Sequence, residues 1–316
     1  MDFCMCRNIF ILFLFFIWIL PSRLFAVDLE PKDERTFKQI IIDEDKQISK
    51  HIDAAAKSVD NALAGGPVDK KPNLTHIIVR QRVDWAIVDG PLAYNPYLDV
   101  RLSLPNFEKK WQLKFTTYDE DQVDRGINRN RLQTAPVRQT YGGDVGFFQN
   151  LGDIHTEFQP RFELREGLQT SYILKFSRPI HYSEITLSPE LQFFAKSDQG
   201  VGEFFGFNTD FHLYKSLFMS LINEEQYVDQ DNVFSTNSGL RFTHAYNDLM
   251  SQMYALIFES SSRTTYHLDR WTLEAGFTHK LLKNVIHYSL TPYLAFERNF
   301  SFRGSPGIIV EVNVIF

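Results

Sequence analysis

A chain of 316 residues with 33 basic and 39 acidic side chains, a formal charge of −6, lacks the basic footprint that phosphate binding needs, which argues against a nucleic-acid partner. Aromatic residues make up 15% of the chain, 29 of them Phe, yet charged residues reach 23% and mean hydropathy is only −0.24. Past the N-terminus no apolar run approaches the roughly 18 residues of a transmembrane helix, so any membrane span must be built from strands that hide their hydrophobicity in a two-residue period.

The first residues have the layout of a secretory signal peptide: Arg7 leads, residues 9–20 are apolar, and Pro21, Ser22 and Ala26 mark a cleavage region. Cleavage is expected after Ala26, although Leu24 is bulkier than the small residue preferred at that position. Cys4 and Cys6 lie upstream of the apolar run and would leave with it. A chain processed in this way has no cysteine, hence no disulfide, thiolate metal site or cysteine nucleophile. Removing Asp2, Arg7 and Arg23 takes 33 basic residues to 31 and 39 acidic to 38, so the charge moves from −6 to −7.

Residues 27–74 form a second region. From 34 to 63 the apolar period lengthens to about 3.5, with Ile41, Ile48, Ala55 and Ala62 recurring every seven residues and Ile52 and Val59 between them. This predicts an amphipathic helix that stops at Gly65 and Gly66, followed by the connector 67–73. Asp45 interrupts the seam, and so short a heptad run is marginal alone. The helix could pack on a partner helix, close one mouth of the following domain, or act as a spacer.

From residue 75 to the end the two-residue alternation persists. Ile77, Val79, Val83 and Trp85 oppose Arg80, Arg82 and Asp84, and Leu98, Val100 and Leu102 oppose Asp99, Arg101 and Ser103. Trp111, Leu113 and Phe115 oppose Gln112 and Lys114. The clearest run is 154–165, where His155, Glu157, Gln159, Arg161, Glu163 and Arg165 form an unbroken polar row against Phe158, Phe162 and Leu164. Further segments follow at 137–147, 172–176, 185–195, 204–213, 217–226, 234–242, 250–259, 270–278, 286–296 and 308–316, about fourteen in all, with blurred parity in 217–226 and 250–259 leaving twelve as the alternative. A soluble sandwich would also show two-faced strands. Repetition, and turns that place long 119–136 at one end with 150–153 and 281–285 at the other, favour an up-and-down barrel.

The last stretch is Ser305-Pro-Gly-Ile-Ile-Val-Glu-Val-Asn-Val-Ile-Phe316, with Ile308, Val310, Val312, Val314 and Phe316 on one face. It resembles the terminal strand of Gram-negative outer-membrane β-barrels, which ends in an aromatic residue and is recognised by the barrel-assembly machinery. The resemblance implies an all-β fold: an antiparallel transmembrane barrel from 75 to 316, of about 14 strands, preceded by a periplasmic helix. It further implies an outer-membrane location, with outer-membrane lipid and the assembly machinery as partners and a periplasmic partner open to the helix. Trp85, Trp111, Trp271 and Phe316 are then expected at the membrane interfaces, where aromatic rings suit the headgroup level.

If the apolar parity faces lipid, the polar parity faces the lumen. Its charges include Arg80, Arg82, Asp84, Asp99, Arg101, Glu157, Arg161, Glu163, Arg165, Glu184 and Glu190, with Asp210, Arg241, Glu274 and Glu311 beyond them. These rows either set selectivity in a conduit for small hydrophilic solutes or ions, or pair into networks that fill the interior. A non-conducting adaptor barrel is the rival reading and a lipid-modifying enzyme the third. Loop 119–136 is a candidate to fold inward as a constriction. No cofactor fingerprint is present. The acidic run 119–124 lacks the spacing of a cation loop. Ser260, Ser261 and Ser262 near His267, and His279 near His287, match no serine and histidine signature of outer-membrane enzymes, so no catalytic or metal residue is assigned.

Overall fold

A computed structural model describes residues 47, 49–54, 56–58, 60–62, 76–86, 92–103, 111–118, 126–132, 139–164, 167–197, 199–281 and 285–316. The signal region, the first half of the expected helix, the acidic run 119–124 and Arg165 lie outside them.

The strands are β1 (His76–Ala86), β2 (Leu92–Ser103), β3 (Trp111–Tyr118), β4 (Gln139–Leu151), β5 (Ile154–Leu164), β6 (Leu168–Ser177), β7 (Ile180–Tyr182) and β8 (Ile185–Lys196). They continue with β9 (Gly200–Tyr214), β10 (Leu217–Val228), β11 (Val233–Ala245), β12 (Met250–Ser261), β13 (His267–Leu281), β14 (Ile286–Glu297) and β15 (Gly304–Ile315). Each pairs antiparallel with its neighbour, β1 pairs with β15, and β6 pairs with β8. The sheet therefore closes. β6 and β7 keep one register against β8 (Ser177 opposite Glu190, Ile180 opposite Leu187) and form a single stave broken at Arg178 and Pro179. Proline has no N–H to give the ladder, so the break falls where the chain carries one. Fourteen staves result, and the twelve-strand alternative is set aside.

The seam between the first and last strands is continuous. Ile78 faces Ile315, Arg82 faces Glu311 and Trp85 faces Ile308. Past the ladder, the Ile77 N–H donates to the Phe316 carbonyl and the Phe316 N–H to the Ile77 carbonyl, at 3.0 and 2.9 Å. Chain parity then puts the turns 152–153, 183–184, 215–216 and 246–249 at the rim that carries Phe316, and β3 ends and β4 begins toward the opposite rim. Gly152, at φ +64, supplies the left-handed step of its two-residue turn. Apart from 119–138, connections at the two rims differ little in length, contrary to the alternation of short and long turns expected from the sequence.

Apolar side chains on the outward face remain exposed, as a lipid-facing wall requires: Trp85, Phe115, Phe158, Phe162, Tyr172, Phe193, Phe205 and Phe258 among them. Rings stack across strands, Trp271 on Phe296 at 3.7 Å and Phe158 against both Phe147 and Tyr172 at 6.0 and 6.5 Å. Trp85 and Trp271 stand toward the rim opposite Phe316, and Trp111 opens β3 toward the Phe316 rim. The blurred parity of β10 and β12 has a physical source. Ile222, Ala255 and Ile257 point inward and pack with one another and with Met253, so those two strands carry apolar residues on both faces.

The helical residues 47, 49–54, 56–58 and 60–62 fall inside the expected helix. Ala56 and Asp60, one turn apart, are fully buried; of the seam residues that are described, Ile52 is half-buried and Ala62 exposed, and seam positions 41, 48, 55 and 59 lie outside the described residues. Among the described residues no helix is long and apolar enough to cross a membrane.

Candidate functional site: the charged barrel interior

The pairing registers place Arg80, Arg82, Asp84, Asp99, Arg101, Glu157, Arg161, Glu163 and Glu190 on the inward face, the parity the sequence assigned them. Glu184 is the exception. It lies in the tight turn 183–184 at the Phe316 rim, where Ser183 takes φ +47, and it is exposed beside His212 at 3.4 Å. Its parity matches the inward row, but it precedes the expected segment 185–195 by one residue and so belongs to the turn and not to the wall.

Two charge networks occupy opposite parts of the interior. On the β3–β5 wall Arg161 is fully buried. It pairs with Glu163 and with Asp144 at 3.3 Å, and its Nη2 donates to Thr116 Oγ1 at 2.7 Å and to the Tyr118 carbonyl at 2.9 Å. Gly142 makes room for it, since a Cβ there would collide with the guanidinium. Next to it, Arg101 holds Asp99 at 2.8 Å. Arg161 ties the end of β3 to β4 and β5 at the point where the chain leaves the wall.

The second network is built by the chain that leaves. Gly126–Asn130 forms a 3₁₀ turn that lies inside the barrel against β9, β10 and β11. This meets the expectation that loop 119–136 folds inward. Gly126 sits at φ +52, a left-handed conformation that favours glycine, and a Cβ there would stand a tight 3.2 Å from the Phe204 ring. Glu224, inward on β10 and fully buried, is the anchor. It accepts from Asn130 Nδ2 at 2.8 and 2.9 Å, Arg129 Nη2 at 3.1 Å and Asn208 Nδ2 at 3.0 Å. Arg241 donates to Asn130 Oδ1 at 3.1 Å, and Asn237 reaches the Ile127 carbonyl at 3.4 Å.

The segment then crosses to β12–β15. Arg131 donates to Glu259 at 3.0 Å, and Arg270 forks onto the same carboxylate at 2.8 and 2.9 Å while donating to the Leu132 carbonyl at 2.9 Å. Leu132 is buried against Tyr293, Ala295 and Ile309. Tyr293 lies over Gly307, where a Cβ would collide with its ring, and its hydroxyl donates to Asp84 at 2.9 Å. Bidentate guanidinium–carboxylate geometry of this kind fixes orientation as well as supplying energy. Seven residues are thereby held across the interior wall from β9 to β15.

Sequence reasoning missed Glu224, Glu259 and Arg270. Glu224 sits in a strand of blurred parity beside Glu225, which faces outward, and Glu259 and Arg270 fall at the ends of their expected segments. The available signal was the loop's own Arg129-Asn-Arg131, a cationic run that follows the acidic run 119–124 in the same long connection.

His267 Nε2 contacts Asp269 at 2.9 Å and its Nδ1 the Thr265 carbonyl, and Ser262 Oγ accepts the Phe234 N–H at 2.9 Å. His279 Nδ1 meets the Tyr288 hydroxyl at 3.1 Å.

No protein-family model matches this chain, and no curated protein does. Solved structures do. A crystal structure of Acinetobacter baumannii OccAB3 is 8% identical over 77% of this chain and 98% of that one, at a TM-score of 0.46. The outer-membrane channel DcaP of the same organism gives 9%, 77%, 97% and 0.46, and Salmonella typhi OmpF in complex with daunomycin gives 10%, 77%, 97% and 0.45. What the coordinates establish by themselves is a closed antiparallel barrel of fourteen staves, apolar outside and ionised inside, with a segment of its own chain bound across the interior.

Proposed function

We propose that this protein is an outer-membrane, porin-like passive conduit for small hydrophilic solutes or ions, narrowed by residues 126–132. The observation that carries the reading is that inward-pointing ionised side chains keep contact with water: Arg80, Arg101, Arg129, Arg131 and Lys175 are all partly exposed although they lie inside the barrel. A lumen filled by ion networks would bury them. Fourteen staves also exceed the eight at which a barrel interior is just filled by side chains. The outward apolar face supports a lipid environment, and the terminal strand ending in Phe316 supports assembly by the outer-membrane machinery, with the Phe316 rim periplasmic. On this reading the helix that precedes β1 is tethered at the periplasmic mouth. The burial of Ala56 and Asp60 on one face favours a docked helix over a free spacer, so it acts as a closure or as the seat of a periplasmic partner.

The test is single-channel conductance of the refolded protein in a planar bilayer, with and without residues 27–72. Stepwise currents are expected, larger in the shortened form if the helix closes the mouth. Silence from a demonstrably folded barrel in both forms would remove the conduit reading and leave the adaptor.

A further inference from the structure

Among the described residues, several interior ion pairs present their cationic partner to water, although the chain as a whole is acidic. Within the ion pairs of the wall and the inward segment, the two partners are unequally exposed. Glu224 is 0% exposed and its partner Arg129 40%; Glu259 is 5% and Arg131 40%; Asp99 is 7% and Arg101 35%. Glu190 and Lys175 differ in the same sense by a smaller margin, Arg80 and Glu311 are nearly level, and Glu297 is more exposed than Arg270. The cause lies in side-chain length. A short carboxylate arm leaves the charge at the wall, while a guanidinium on its long stem reaches past it toward the axis.

Each such pair is neutral in sum but presents its positive end to the passage. An ion beside it stands closer to the guanidinium than to the carboxylate, and attraction falls with distance. Within a passage narrower than the Debye length of about 10 Å at 0.1 M salt, that difference is incompletely screened. Exposed acids do exist: Asp210 and Glu184 lie toward the Phe316 rim, the end of the wall at which Arg80 and Arg101 also stand, and Glu157 is partly exposed on the inward face of β5.

We infer that the part of the lumen narrowed by residues 126–132 selects anions, with Arg101 adding to the preference nearer the Phe316 rim, and that the favoured solutes are small oxyanions, carboxylates or phosphate esters, whose oxygens suit the guanidinium groups of Arg129 and Arg131. The inference rests on the conduit reading and names its substrate class. It also runs against the formal charge of −6, which by itself would favour cations.

The test is the reversal potential of the full chain, refolded into a planar bilayer under a potassium chloride gradient, followed by the same measurement with inorganic phosphate added to the chloride solution. Anions are expected to permeate over potassium by a factor on the order of three, as a few partly screened cations imply. Arg129→Gln combined with Arg131→Gln should bring that ratio toward one. Arg101→Gln, remote from the inward segment, should lower it independently and serves if the double variant does not assemble. Phosphate should reduce chloride current in the unaltered protein and less so in the variants. Conduction with cation preference, or an anion preference untouched by both variants, overturns the inference and leaves the conduit standing. A folded barrel that carries no current overturns both.

Discussion

Arg161 shows how a charge read as a selectivity residue becomes something else when its surroundings are known. It is enclosed by Asp144, Glu163, Thr116 and the Tyr118 carbonyl, so it does not face solute. Its work is to neutralise two buried carboxylates and to fix the backbone where β3 ends. Replacing it with methionine keeps volume but strands those carboxylates, and breaking a buried pair in this way costs about 3–5 kcal/mol. The expected outcome is a marked fall in the thermal unfolding midpoint of the detergent-solubilised protein with reversal potential unchanged; altered selectivity at wild-type stability would place Arg161 in the path. Gly142→Ala probes the same contact from the other side, because the added methyl would push the guanidinium off its partners at about 1–3 kcal/mol. What the sequence disclosed about Arg161 was its parity. Its burial depended on Gly142 and Asp144 of the neighbouring strand, which no single-strand pattern reveals.

At the scale of the element, segment 126–132 is a loop fastened at several points to a rigid wall. Glu224 gathers donors from Arg129, Asn130 and Asn208, and Glu259 gathers Arg131 and Arg270. Glu224→Ala should leave those donors without an acceptor and free the first half of the segment while the strands stay paired. Trypsin cleavage after Arg129 or Arg131 in the refolded barrel should then speed up at least about tenfold, the equivalent of about 1.4 kcal/mol and a modest figure for charged hydrogen bonds. Mass spectrometry of the digest reads it out, and an unchanged cleavage rate would mean that Glu224 is not the fastening point. The loop was legible as a candidate because it is long and polar among short connections. Its seat was not legible, because it is assembled from β9 to β15, strands whose inward residues include Ile222 and Ile257 alongside the acids and so dilute the alternation. The helix repeats the lesson: its period was readable, while the burial of Ala56 and Asp60, which lie off the heptad seam, was not.

At the scale of the molecule, strand number and antiparallel order were within reach of the sequence, since an alternating run followed by a turn is a local property repeated along the chain. Closure was not local. It joins Ile78 to Ile315, the first strand to the last. Removing residues 304–316 should leave β1 and β14 with unpaired edges, so that the product lacks the heat-dependent shift in gel mobility expected of the whole barrel and aggregates instead. A shortened chain that still migrates as a compact species would show that fourteen staves are not required. The pairing of β1 with β15 also has a consequence in time. The residues that complete the first strand's ladder are the last of this sequence to be synthesised, so β1 must wait through the production of some two hundred residues with one edge unsatisfied. Contacts of such separation form slowly. The polypeptide therefore needs escort in an unfolded state over that interval, and the rate at which the barrel appears should be set by the meeting of its two ends and not by the quick zipping of its hairpins.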